Sequence, residues 1–190
     1  VLGFVVGYLV HKLSHLLTRA AHPRINQKLR LAQYVTTAAL AFSHGANDAQ
    51  KSMGVLTLVL VLGGFIPPFE VPFWVMLACA TAITAGILSG GWRIVRTLGF
   101  AIYRVRPLHA LSSQLTSGVL ILSASVVGAP VSTTHVVATS IMGIGYSEHP
   151  RAVRWKKAVD IAKTWVITIP ASALTSIVCY ALARIILGQH

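Results

Sequence analysis

Long apolar runs separated by short basic blocks leave this chain few ways to fold. A membrane-spanning helix needs about 20 predominantly apolar residues, and the runs here approach or exceed that length. They are Val1–Leu17, Leu31–Leu62, Phe73–Ser89, a pair at Leu111–Gly128 and Val136–Ile144, and Ile161–Leu187, which makes five or six candidate spans. The pattern predicts an all-α, polytopic transmembrane protein in which residues 1–190 form one unit. Composition agrees. Hydrophobic residues make up 55% of the 190 and charged residues 11%, with a mean hydropathy of +0.71. Soluble domains carry about 25% charged residues.

The net charge is +12, from 16 Lys and Arg against 4 Asp and Glu. A balance this basic can mark a nucleic-acid binder. Here, however, the positive residues fall in loops between apolar runs, without a sustained basic face, so no nucleic-acid partner is expected. Loops 18–30 (Arg19, Arg24, Lys28, Arg30), 90–109 (Arg93, Arg96, Arg104, Arg106) and 147–160 (Arg151, Arg154, Lys156, Lys157) read as cytoplasmic. Loop 63–72 has no Lys or Arg and holds Glu70, so it reads as external. Segment 111–146 must then leave and return to the cytoplasmic side. It is a hairpin turning at Pro130, with arms short enough to favour a re-entrant pair. Pro170 predicts a kink in the last span. Cys79 and Cys179 lie in apolar runs and read as small buried hydrophobes. His11, His15 and His22 fall around the first cytoplasmic boundary, where interfacial histidines are commoner than a metal cluster. Lys12 there reaches for the headgroups. The chain opens on Val1 inside an apolar run, as expected of a piece of a longer protein.

Two polar interruptions carry the chemistry. The first is Ser43-His44-Gly45-Ala46-Asn47-Asp48-Ala49-Gln50-Lys51. Asp48 is the one acidic residue within any candidate span, and placing a carboxylate there costs roughly 2.5–3.5 kcal/mol. Gly45 and Gly54 bracket the cluster, so the expected form is a locally broken helix whose freed backbone lines a cavity. A plain buried ion pair of Asp48 with Lys51 at i+3 is the structural alternative. The second interruption is Ala129-Pro130-Val131-Ser132-Thr133-Thr134-His135. Hydroxyls after a proline suit a helix start. The free N–H groups and partial positive charge of a helix start suit an anion. Asp48 and Asn47 offer hard oxygens to Na⁺, or a carboxylate to H⁺. An anion and a cation moving together reduce the charge that must be buried.

At these residues the sequence resembles the inorganic phosphate transporter (PiT) family of phosphate–cation symporters. His44-Gly45-Ala46-Asn47-Asp48-Ala49-Gln50-Lys51-Ser52-Met53-Gly54 resembles the family's GAND signature in its bacterial C-terminal-half form. Gly128 to His135 resembles the second signature, about 80 residues later. The resemblance covers nearly the whole chain. It implies a low-affinity phosphate transporter of the bacterial inner membrane rather than an enzyme, with no cofactor or resident metal. Phosphate, alone or as a metal complex, would move with H⁺ or Na⁺ by alternating access. Phosphate would be held by Ser132, Thr133, Thr134, Asn47 and Gln50, and the cation by Asn47 and Asp48. Lys51, His44 and His135 would be auxiliary. Family members resemble two inverted-topology repeats, each bearing both signatures. This chain has one copy of each, so it is one repeat, completed by a missing N-terminal half or by a second subunit. A sulfate permease is the neighbouring alternative. An intramembrane hydrolase built on Ser132, His135, His44 and Asp48 is the alternative from another class, although no nucleophile-elbow pattern surrounds Ser132.

Overall fold

The computed structural model describes residues 1–18, 25–67, 70–97, 99 and 102–186. Arg19, His22 and Arg24 of the first basic loop, Pro68 of the external loop and Leu187 of the last span lie outside the described residues. The elements are all helical: α1 Leu2–Thr18, α2 Ile25–Leu62, α3 Phe73–Arg96, α4 Pro107–Val126, α5 Thr133–Glu148 and α6 Trp155–Ile186. They divide into a unit formed by residues 1–153 and a second formed by residues 154–190.

Helix ends follow local chemistry. Gly64 and Gly128 both adopt φ of 74°, the left-handed conformation that glycine takes without penalty. Each closes its helix with paired capping bonds. At Gly128 these run from Gly128 N–H to the Ser125 carbonyl (3.1 Å) and from Ala129 N–H to the Ala124 carbonyl (2.8 Å). At Gly64 the partners are Val61 and Leu60, both at 3.0 Å. Pro130 follows Gly128, and α5 begins at the Ser132 cap, so the expected turn between two arms is present. The helices run past the apolar stretches that announced them. α3 continues to Arg96, α4 starts at Pro107, and α6 takes Trp155, Lys156 and Lys157 into its first turn.

The expected break in the second span is absent. α2 is one helix through Ser43–Lys51 and on to Leu62. The segment contains no proline, and two interior glycines cost only about 1 kcal/mol each. Its polar side chains find partners without freeing the backbone, as described below. Of the apolar segments in the sequence, Phe73–Trp92 and Trp155–Leu182 are long and apolar enough by themselves to cross a membrane, among the described residues. α1 and α5 have 17 and 16 residues, and α2 and α4 carry more polar side chains.

Within the first unit two parallel helix pairs interlock. α1 lies against α5, where small residues remove the space between backbones. A Cβ on Gly143 would stand 2.8 Å from the Phe4 carbonyl carbon, and one on Gly7 would stand 2.7 Å from the Ser140 oxygen. α2 lies against α4 in a register set by amides and hydroxyls. Gln33 Nε2 donates to the Pro107 carbonyl at 2.7 Å, and Thr36 Oγ1 donates to Gln114 Oε1 at 2.5 Å. Gln114 Nε2 donates in turn to Thr37 Oγ1 at 2.8 Å. α4 and α5 run antiparallel and are joined through the fully buried Ser140 hydroxyl, 2.9 Å from Ser113 Oγ and 3.3 Å from Ser117 Oγ. The α4–α5 turn meets α2 at Asn47, and Leu62 lies about 22 Å further along α2 at 1.5 Å per residue.

α6 forms the second unit, and the helix is continuous through Pro170.

Candidate functional site

The site forms where the α4–α5 turn touches the middle of α2. Val131 precedes the Ser132 cap, so its carbonyl lies outside the hydrogen-bond ladder of α5 and is met by side chains of α2. Asn47 Nδ2 donates to it at 2.9 Å, and Lys51 Nζ also donates to it. The same two side chains converge on Asp48 Oδ1, Asn47 at 2.8 Å and Lys51 at 3.1 Å. The other carboxylate oxygen, Asp48 Oδ2, lies 3.4 Å from His44 Nδ1, one helical turn back. Asn47 is buried, whereas Asp48 and Lys51 remain about one-third exposed. Sequence reasoning placed Asn47, Asp48, Lys51 and His44 together, and the i, i+3 and i+4 spacing on one continuous helix does so. Gln50 lies on the exposed side of α2.

At the other side of the contact, Ser132 caps α5, its Oγ accepting the His135 N–H at 3.4 Å. Thr133 is buried, while Ser132, Thr134 and His135 are exposed. Thr133 and Thr134 share a cavity of about 320 Å³ with His44, Thr37, Ile87 and Val95, between α2, α3 and the start of α5. The hydroxyl-bearing helix start, the Asp48 cluster and an apolar-walled cavity therefore adjoin one another. The Val131 carbonyl that links them had no side-chain signal in the sequence. The proline before it was the available hint.

A second polar cluster lies where α5 ends and α4 begins, beside His11 of α1, and sequence reasoning missed it. Glu148, at the end of α5, accepts from Tyr103 Oη at 2.7 Å, meets His109 Nε2 at 2.6 Å and lies 3.7 Å from the Arg106 guanidinium. Burial pushes the Glu148 carboxyl up, but the Tyr103 hydroxyl, His109 and Arg106 outweigh it and hold the group below the ordinary carboxylate value. Burial, then the bond to Glu148, pushes the Tyr103 phenol up to about 12. Burial keeps His109 below its ordinary value. His11 is buried edge-on against His109, with its ring 5.0 Å away. The ligand atoms of His11, His109 and Glu148 lie within 4.8 Å of one another, a spacing that suits a metal ion. Protonation argues otherwise. The Arg106 N–H donates to His109 Nδ1 at 3.1 Å, which places the imidazole proton on Nε2, facing Glu148. His109 therefore gives the carboxylate a hydrogen bond, and the cluster is a latch joining the 102–106 segment, α4 and α5.

The site is thus polar, held between apolar helices and built on the start of one helix and the middle of another. The chain belongs to the phosphate transporter family, whose sequence model matches residues 2–176. It is 37% identical to a probable low-affinity inorganic phosphate transporter of Bacillus subtilis over 98% of this chain and 56% of that protein. It is 38% identical to one from Rhizobium meliloti over 97% of this chain and 56% of that protein. Among solved structures it is similar to a sodium-dependent phosphate transporter, with a TM-score of 0.73 and 27% identity over 85% of this chain and 41% of that one. The chain thus spans about half the length of these relatives.

Proposed function

We propose that this chain is one repeat of a low-affinity phosphate–cation symporter, working by alternating access with a second repeat that completes the site. The contact of Asn47 and Lys51 with the Val131 carbonyl carries the reading, because it couples the carboxylate cluster to the start of α5. Phosphate would lie at that start, with Ser132, Thr133 and Thr134 donating hydroxyl and N–H groups. The driving cation, H⁺ or Na⁺, would act through the Asn47–Asp48 region. Sodium dependence in the name of the solved relative, and in that of a Danio rerio transporter 32% identical over 87% of this chain, supports a cation-driven process. In a bilayer the α4–α5 pair would be re-entrant, since it turns back beside the middle of α2, and the protein would sit in a bacterial inner membrane. The second repeat would be an N-terminal half or a second copy.

The test is radiolabelled phosphate uptake into proteoliposomes by the intact protein and its Asp48→Asn variant, under sodium and pH gradients imposed separately. Uptake driven by one gradient, abolished in the variant and resistant to excess sulfate is expected. No uptake by folded protein under either gradient overturns the reading, and competition by sulfate moves the substrate to that anion.

A further inference from the structure

We propose that the Lys51 ammonium is a tethered cation standing where a free coupling ion would bind, so that this repeat takes no sodium at Asp48. The inference rests on the symport reading above and departs from it at one point, since it removes sodium from the ions that could act at Asp48 of this repeat. Two hard oxygens converge there, the Asp48 carboxylate Oδ1 and the main-chain carbonyl of Val131. Such a set, one anionic oxygen and one carbonyl freed at a helix break, is how transporters hold an alkali cation. The point between them is filled by Lys51 Nζ, which donates to both, at 3.1 Å to Oδ1. Asn47 Nδ2 also donates to both, at 2.8 and 2.9 Å, so lone pairs that would face a sodium ion are already engaged.

Charge balance points the same way. Asp48 and Lys51 form a neutral pair beside the positive end of α5. Before phosphate binds, a sodium ion added there would raise the local charge to one positive unit, with no second carboxylate among the described residues that partner Asp48 and Lys51 to offset it. The lysine cannot leave with the substrate. It compensates Asp48 throughout the cycle and keeps a permanent positive charge next to the proposed anion site. Any sodium that the complete transporter uses is therefore held away from Asp48.

The experiment compares thermal unfolding of the intact protein in sodium chloride and in choline chloride at equal ionic strength. The wild type, Asp48→Asn, Lys51→Asn and Lys51→Gln are measured, with phosphate uptake by the wild type recorded in parallel. Replacing Lys51 by a neutral amide removes the resident cation from between the two oxygens, so the Asn or Gln variant is expected to gain a sodium-specific rise in unfolding temperature beyond any shown by the wild type. The wild type's own sodium response is expected to persist in Asp48→Asn. Loss of that response in Asp48→Asn overturns the proposal, because sodium would then already reach Asp48 with Lys51 in place. A folded Lys51 variant with no added sodium response also overturns it. Should neither Lys51 variant fold, the wild type and Asp48→Asn comparison decides the matter alone. Failure of the transport reading shows separately, as absent uptake under every gradient.

Discussion

Gly143→Ala tests whether the α1–α5 pair depends on backbone contact. A methyl group at position 143 would meet the Phe4 main chain, its carbonyl oxygen most closely, then its carbonyl carbon at 2.8 Å and Cα at 3.0 Å. None of these atoms can rotate away, so the helices must part. Gly118→Ala is the matched control, since a Cβ there comes no nearer than 3.8 Å to Leu40 Cα, an ordinary contact. Both positions lie inside helices, so both variants gain the same helix propensity, about 1 kcal/mol over glycine. The difference between them isolates the clash, and forcing a methyl into a packed interface costs about 1–3 kcal/mol. Gly118→Ala should therefore be neutral to stabilising, with Gly143→Ala less stable than it by about 1–3 kcal/mol. Reversible unfolding of the purified protein in mixed micelles measures both. Equal stabilities within 0.5 kcal/mol, a margin of the order of surface-substitution scatter, would refute close backbone packing as the basis of this pair.

Two further outcomes follow from features at the helix ends. Glu148→Gln removes the charged acceptor shared by His109, Tyr103 and Arg106 and should cost about 1–3 kcal/mol at neutral pH. The sign with pH is fixed. The folded carboxyl lies below its ordinary value of 4.5. Its contribution is therefore present above that value and lost as pH falls through the lower folded one. Unfolding at pH 7 and in the acid range should show the wild type losing stability on acidification and the variant losing less, and identical slopes would contradict the latch. Gly128→Ala forces a side chain into the left-handed conformation and should cost about 1–2 kcal/mol in the same unfolding assay. An unchanged stability there would mean that the α4 cap does not hold the turn.

What the sequence made legible depended on whether side chains or main chain did the work. Asn47, Asp48, Lys51 and His44 were readable as a cluster because a polar group in an apolar span has to be answered. The Ser132 start was readable because serine after a proline has a local capping chemistry. The break expected in α2 was wrong, because glycines flanking a polar patch permit a break without requiring one, and only Pro130 imposed it. The register of α2 on α4 rests on Gln33, Thr36, Thr37 and Gln114, ordinary polar residues whose partners lie about 75 positions away. Tyr103 and Glu148 fell in two separate loops read only for their positive charges, so their meeting with His109 had no periodic signature to reveal it.

The Val131 carbonyl has a consequence for variation. The acceptor that gathers Asn47 and Lys51 belongs to the main chain, so no codon at position 131 specifies it. A saturation scan should find 131 tolerant of most substitutions that keep the turn, while its neighbour Pro130 and the two donors are not. The contact on which the proposed coupling depends would thus be hidden from any search that ranks positions by the side chain they carry.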